Sequence, residues 1–215
     1  MTRRISGLYA VTPELADTPA LVAAAEAALR GGAKLLQYRN KTAAAALRLT
    51  QARALLALCR KYRVPLIIND RLDLALEVPA DGVHLGADDV PLATARARLG
   101  PARLLGASCY DRLEAALEAE RLGADYVAFG SFFPSSVKPG AVRAPLALLR
   151  EAKRRLSVQV VAIGGITLDN APQLIAAGAD SVAVISALFD ADDIGIAARR
   201  FSALFAAREP ANRDA

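Results

Sequence analysis

The sequence predicts an α/β fold, a single (βα)8 barrel of the TIM type, on three observations. Short apolar runs alternate with Ala-, Leu- and Arg-rich segments of helical spacing from one end of the chain to the other. A small triplet recurs ahead of candidate strands, as Gly32-Ala33-Lys34, Gly123-Ala124-Asp125 and Gly178-Ala179-Asp180, with Ala80-Asp81-Gly82 as a variant. Polar side chains gather at one end of nearly every candidate strand from the second onward, as expected of the face on which barrel active sites are built.

The elements follow in order. Gly7–Thr12 is an apolar run that opens the sheet, and no GxGxxG follows it, which counts against an open doubly wound sheet. Helical spacing over Thr18–Arg30 leads to the strand Leu35–Arg39, and over Ala44–Tyr62 to Pro65–Asn69. Gly82–Leu85 and Leu104–Ser108 are the fourth and fifth strands. The helical segment Arg112–Leu122 precedes Tyr126–Phe129, Ala144–Leu156 precedes Val160–Ile163, and Leu168–Ala177 precedes Ser181–Ile185. The glycine of each Gly-Ala triplet follows a helical segment, where a left-handed cap turns the chain into the next strand. Such alternation implies parallel pairing by βαβ crossovers. The barrel is expected to be the catalytic domain over residues 1–205, with 206–215 a polar, proline-containing tail that frays.

With 215 residues, 54% of them hydrophobic, the chain can bury one sizeable core. No apolar run reaches the ~18 uninterrupted residues of a membrane span. The basic start Met1-Thr2-Arg3-Arg4 is not followed by the apolar region of a signal peptide. Cys59 and Cys109 lie far apart and form no metal-binding spacing, so both thiols are expected free in a reducing cytoplasm. The net charge of +5 admits a nucleic-acid partner, but the arginines are spread along helices and no aromatic residues interleave with them. The expected partners are therefore small molecules, neither nucleic acid nor membrane; a homo-oligomer is compatible with the sequence and unspecified by it.

The strand ends carry the chemistry. Alternation along a strand places Gln37, Arg39 and Lys41 on one side, an amide with two cations that suits a polyanion such as pyrophosphate. Asp70 and Asp89 form an acidic pair in adjacent loops, apart from most of the cations. Hard carboxylate oxygens without a second histidine or clustered thiols suit Mg²⁺ shared with substrate phosphates. Singly, each aspartate would read as a turn or helix cap; beside Arg39, Lys41 and Lys138 the pair reads as a metal site. Asp88 is assigned to the surface. Gly164-Gly165, together with Ile185-Ser186 opening the last helix, has the form of a barrel phosphate site. His84, the only histidine, is expected to face the core and be hydrogen-bonded, and Cys109 has no base beside it to support nucleophilic catalysis.

Together these blocks resemble thiamine phosphate synthase. The resemblance rests on Gln37-x-Arg39-x-Lys41, Ile68-Asn69-Asp70-Arg71-x-Asp73-Leu74-Ala75, Asp81-Gly82-Val83-His84-Leu85-Gly86-x-x-Asp89, Pro134-Ser135-x-x-Lys138 and Val161-Ala162-Ile163-Gly164-Gly165-Ile166. It runs from about Leu8 to about Phe205 with every block in order. It implies a transferase that joins hydroxymethylpyrimidine diphosphate to thiazole phosphate with Mg²⁺ as cofactor, releasing pyrophosphate. Gln37, Arg39, Lys41, Asn69 and Lys138 would contact the pyrimidine diphosphate, with Ser108 near the pyrimidine, and Asp70 and Asp89 would hold Mg²⁺. Arg39, Lys138 and Ser108 would form the catalytic set. Ser135, Ser136 and Val137 would meet the thiazole phosphate, with Gly165, Ile185 and Ser186 on its phosphate. Three departures from the family pattern stand out. Ser135 and Val137 stand in a loop that usually carries two threonines, Ala87 replaces a frequent glutamine, and Tyr110 a frequent histidine. The alternatives are a thiazole tautomerase on the same barrel, which would need that histidine, and a barrel that binds phosphate ligands without catalysis.

Overall fold

The computed structural model describes residues 5–134 and 142–206. Its strands are β1 (Gly7–Val11), β2 (Leu35–Tyr38), β3 (Leu66–Asn69), β4 (Gly82–Leu85), β5 (Leu104–Tyr110), β6 (Tyr126–Phe129), β7 (Gln159–Ile163) and β8 (Ser181–Val184). Between them run α1 (Thr18–Arg30), α2 (Ala45–Tyr62), α3 (Leu72–Glu77), α4 (Leu92–Leu99), α5 (Leu113–Arg121), α6 (Leu146–Arg155) and α7 (Ala171–Ala176). After β8 come the single turn α8 (Ser186–Phe189) and α9 (Ile194–Ala206). The strands pair in parallel with their sequence neighbours, and β8 pairs back onto β1, so the sheet closes into a (βα)8 barrel.

Alternate residues of each strand serve two cores. Tyr9, Val11, Leu35, Ile67, Leu104, Tyr126, Ala128, Val161 and Ala183 fill the barrel interior. Their neighbours Leu8, Ala10, Leu36, Ile68, Val83, Leu105, Val127, Ala162 and Val182 face out beneath the helices. Both faces are covered, which is why the strands read as continuous apolar runs rather than as alternating ones.

The recurrent triplet has a physical purpose at the base of the barrel. Its glycines cap helices with positive φ, +102° at Gly32, +89° at Gly123 and +116° at Gly178. Its acids reach across to an amide in the first two residues of the preceding strand. Asp81 Oδ2 accepts from Leu66 N–H at 3.0 Å, Asp125 Oδ2 from Leu105 N–H at 2.7 Å, and Asp180 Oδ2 from Val160 N–H at 2.8 Å. Arg96 and Lys153 hold Asp125 and Asp180 in place at 2.5 and 2.8 Å. The same short sequence thus ends a helix and ties the start of one strand to the next.

Most boundaries shift by a residue or more from those expected, and two shifts bear on the site. The fifth strand runs on to Tyr110, with a register shift against β6 between Ser108 and Tyr110 and a positive φ of 54° at Tyr110. Ile185 and Ser186 open α8 and not the last helix, which begins afresh at Ile194. Among the described residues no helix is long and apolar enough to cross a membrane.

Candidate active site

A cavity of about 820 Å³ opens at the C-terminal ends of the strands. Gln37, Arg39 and Lys41 all line it, as do Asn69, Asp70, Asp89 and Ser108. Strand β2 ends at Tyr38, one residue early, yet the alternation persists: the Tyr38 hydroxyl and the Asn40 amide turn the other way, onto Gln51 of α2 at 2.7 and 3.2 Å. That outward grip fixes which residues of the loop face inward.

Arg39 and Lys41 each meet a carboxylate. Arg39 Nη1 donates to Glu14 Oε1 at 2.7 Å, and the Thr42 hydroxyl donates to Glu14 Oε2 at 2.8 Å, so Glu14 ties both ends of the loop after β2 to the loop after β1. Partial burial works to raise the Glu14 carboxyl, but the Thr42 hydrogen bond and the Arg39 charge outweigh it and hold the group below its ordinary value. Lys41 Nζ lies 2.9 Å from Asp70 Oδ2. The acidic pair is therefore not apart from the cations, because the loop after β2 folds over the end of β3. Asp89 does not cap α4, whose N-cap is Pro91; its Oδ2 accepts from Gly86 N–H at 2.7 Å. Burial and the neighbouring Asp70 charge push the Asp89 carboxyl above its ordinary value, against the Gly86 hydrogen bond. Two neighbouring carboxylates, the charge of Asp70 adding to the cost of ionising Asp89, with oxygen donors only, have the donor chemistry a hard divalent cation relieves. Asp88, assigned to the surface, is exposed but stands on the cavity rim.

His84 is buried and hydrogen-bonded as expected. It also lines the cavity: its ring stacks on Tyr126 at 5.5 Å, and Nε2 lies 2.9 Å from Ser108 Oγ. Gly106 opposite makes room for that stack, since a Cβ there would overlap both the Tyr126 ring and the His84 imidazole. Burial pushes the Cys59 and Cys109 thiols up to about 12, where neither is a nucleophile at neutral pH.

A second pocket, of about 190 Å³, lies between the ends of β7 and β8, lined by Gly164, Gly165, Ile166, Thr167, Ile185, Ser186 and Pro134. Gly165 has φ +63°, and a Cβ on it would overlap the Pro134 carbonyl, so only glycine lets the chain after β6 approach. Ser186 starts one helical turn, so loop amides rather than a long helix dipole are the donors available there. Ser135, Ser136, Val137 and Lys138 lie outside the described residues.

Tyr9, Glu14 and Tyr126 are the residues sequence reasoning passed over. Tyr9 and Tyr126 were indistinguishable from core aromatics, and Glu14 from any polar loop residue. Only closure of the barrel brings them to the site.

Residues 8–188 match the family model described as thiamine monophosphate synthase. The thiamine-phosphate synthase of Nitrosospira multiformis is 56% identical over 203 residues, 94% of this chain and 87% of that protein. That of Methylobacillus flagellatus is 58% identical over 201 residues, 94% and 96% of the two chains. The solved structure of thiamine phosphate pyrophosphorylase from Pyrococcus furiosus superimposes with a TM-score of 0.83 at 37% identity, covering 94% of this chain and 96% of that one. A 3-hexulose-6-phosphate synthase at 18% identity and a TM-score of 0.67 shares the barrel fold alone. The blocks at the strand ends thus belong to a match that spans the barrel, and the chain is an enzyme of the thiamine monophosphate synthase family, a transferase.

Proposed function

We propose that the protein joins 4-amino-5-hydroxymethyl-2-methylpyrimidine diphosphate to thiazole phosphate, giving thiamine phosphate and pyrophosphate. The observation that carries this reading is the meeting of Gln37, Arg39 and Lys41 with the Asp70–Asp89 pair in one cavity, beside the pocket formed by Gly164, Gly165 and Ser186. A diphosphate and a phosphate monoester each have a matching set of donors.

The reaction needs a leaving group stabilised more than it needs a base. The 4-amino group pushes electron density toward the exocyclic CH₂, the C–O bond breaks, and its electron pair departs with pyrophosphate. The thiazole nitrogen then supplies the pair that forms the new C–N bond. In this scheme Arg39, Lys41 and Lys138 balance the charge that develops on the departing oxygen, where a preorganised cation lowers the barrier most. Glu14 engages Arg39 at Nη1; the rest of the guanidinium is then available to the diphosphate. Gln37, Asn69 and Ser108 orient the pyrimidine, and holding the thiazole nitrogen in line supplies much of the remaining acceleration. Mg²⁺ held by Asp70 and Asp89 would neutralise diphosphate charge. Gly165, Ile185 and Ser186, with Ser135, Ser136 and Val137, bind the thiazole phosphate.

Purified protein supplied with both substrates and Mg²⁺ should form thiamine phosphate and pyrophosphate in equal amounts, and EDTA should abolish it. Full turnover in EDTA would overturn the metal assignment alone. Isomerised thiazole carboxylate phosphate without coupling would favour the tautomerase; Tyr110 stands where that reaction would need a histidine.

A further inference from the structure

Two buried polar side chains stand beside the cavity without lining it. Thr12, the residue after β1, and Gln51 of α2 are both 0% exposed, and neither is part of the cavity wall. Burying a polar group is costly unless its hydrogen bonds are made. Here they are made to the loops after β1 and β2, the second of which carries Arg39 and Lys41.

Thr12 N–H donates to the Gln37 carbonyl at 2.9 Å, which continues the pairing of β1 with β2. One step further along a parallel ladder, the Arg39 N–H would go to a backbone carbonyl. The Thr12 hydroxyl takes it instead, accepting from Arg39 N–H at 3.0 Å and donating to the Arg39 carbonyl at 3.3 Å. One side chain holds both backbone groups of Arg39, while Glu14, two residues on, holds its guanidinium.

Gln51 secures the segment around that clamp. Its Nε2 donates to the Leu15 carbonyl at 2.8 Å, and its Oε1 accepts from the Tyr38 hydroxyl at 2.7 Å and from Asn40 Nδ2 at 3.2 Å. Asn40 Oδ1 in turn accepts from Ala43 N–H at 3.1 Å. Backbone groups set these directions, since a carbonyl can only accept and an N–H can only donate. Turning Gln51 over would set its oxygen against the Leu15 carbonyl, and turning Asn40 over would set its amino group against the Ala43 N–H. The loops after β1 and β2 are therefore tied to each other and to α2 as one unit.

We propose that Thr12 and Gln51 are positioning residues for the diphosphate: they fix the backbone at Arg39 and the turn around it, so that Arg39 and Lys41 enter the cavity already ordered. The inference rests on the pyrimidine-diphosphate reading and adds to it the residues that set the affinity without touching substrate.

The test is calorimetric binding of inorganic pyrophosphate, with Mg²⁺ present, to the full chain, beside KM for each substrate. Thr12→Val keeps the branched shape and removes the hydroxyl; Gln51→Met keeps the length and removes the amide. Each should weaken pyrophosphate binding and raise KM for the pyrimidine diphosphate by roughly tenfold, the order of the cost of ordering one residue on binding instead of on folding. KM for thiazole phosphate should not move. Thr12→Ser keeps the hydroxyl and loses the methyl, and should bind pyrophosphate like wild type even where its melting temperature falls. Whichever of Thr12→Val and Gln51→Met folds carries the test. Unchanged pyrophosphate affinity in a folded variant, or a loss that tracks melting temperature or spreads to thiazole phosphate, would overturn the proposal and leave both residues as scaffolding. A wild type that binds no pyrophosphate would overturn the diphosphate reading itself, and this inference with it.

Discussion

Asp89 carries the clearest consequence of a single residue's surroundings. Because burial and then Asp70 raise its carboxyl, the folded state favours the protonated form. Its favourable contribution is complete at low pH and is lost as the pH climbs through the raised value. Metal-free Asp89→Asn should therefore melt higher than wild type at neutral pH, with the gap closing on acidification as the pH falls through the raised value of the folded-state carboxyl. Added Mg²⁺ should raise the wild-type melting temperature more than the variant's, and a gap indifferent to Mg²⁺ would count against the pair as a cation site. Glu14 acts through a neighbour. Glu14→Ala frees Arg39 and Thr42 together, and should raise KM for the pyrimidine diphosphate roughly fivefold, ~1 kcal/mol for a partly exposed pair, leaving the thiazole-phosphate KM alone. A lowered KM would mean instead that Glu14 competes with the diphosphate for the guanidinium. Val137 stands where the family resemblance expects a hydroxyl. Val137→Thr should lower KM for thiazole phosphate by roughly tenfold, as one hydrogen bond to a charged group is worth about 1.5–3 kcal/mol. Steady-state kinetics with each substrate varied in turn would show it.

At the scale of elements, the strands and their order were legible because a covered parallel sheet needs unbroken apolar runs, and the Gly-Ala echo with its variant marks where β2, β4, β6 and β8 begin. What the echo's acids do was not legible, since their partners lie 15 to 20 residues back in the sequence. Asp180→Ala should cost about 1–3 kcal/mol by leaving the Val160 N–H without its acceptor. Denaturant melts would register that loss, while kinetics at the opposite end of the barrel should be unmoved. The short helices were harder to read: α3 and α8 have six and four residues, too few to display a period. The extension of β5 to Tyr110 was missed for a related reason. A register shift is set by the neighbouring strand, not by the residues that shift.

For the whole molecule, closure is the decisive event. The last helix, α9, lies against α1 and β1 and buries Phe201 completely, joining the end of the chain to its beginning. Phe201→Ala should cost about 3–5 kcal/mol, seen as a lower unfolding midpoint with unchanged KM values below it. A change in KM would mean the helix layer feeds strain into the site. The local patterns of the chain were sufficient for the architecture, for the inward set Gln37, Arg39 and Lys41, and for Asp70 and Asp89 as a pair, because period, strand ends and residue type are local properties. Only the tertiary structure decided that Lys41 meets Asp70, that Glu14 holds Arg39, and that Tyr9 and Tyr126 connect Gln37 to His84 and Ser108. Those contacts join the strands from β1 to β6 across the barrel, and no spacing along the chain encodes which side chains meet when a sheet curls shut.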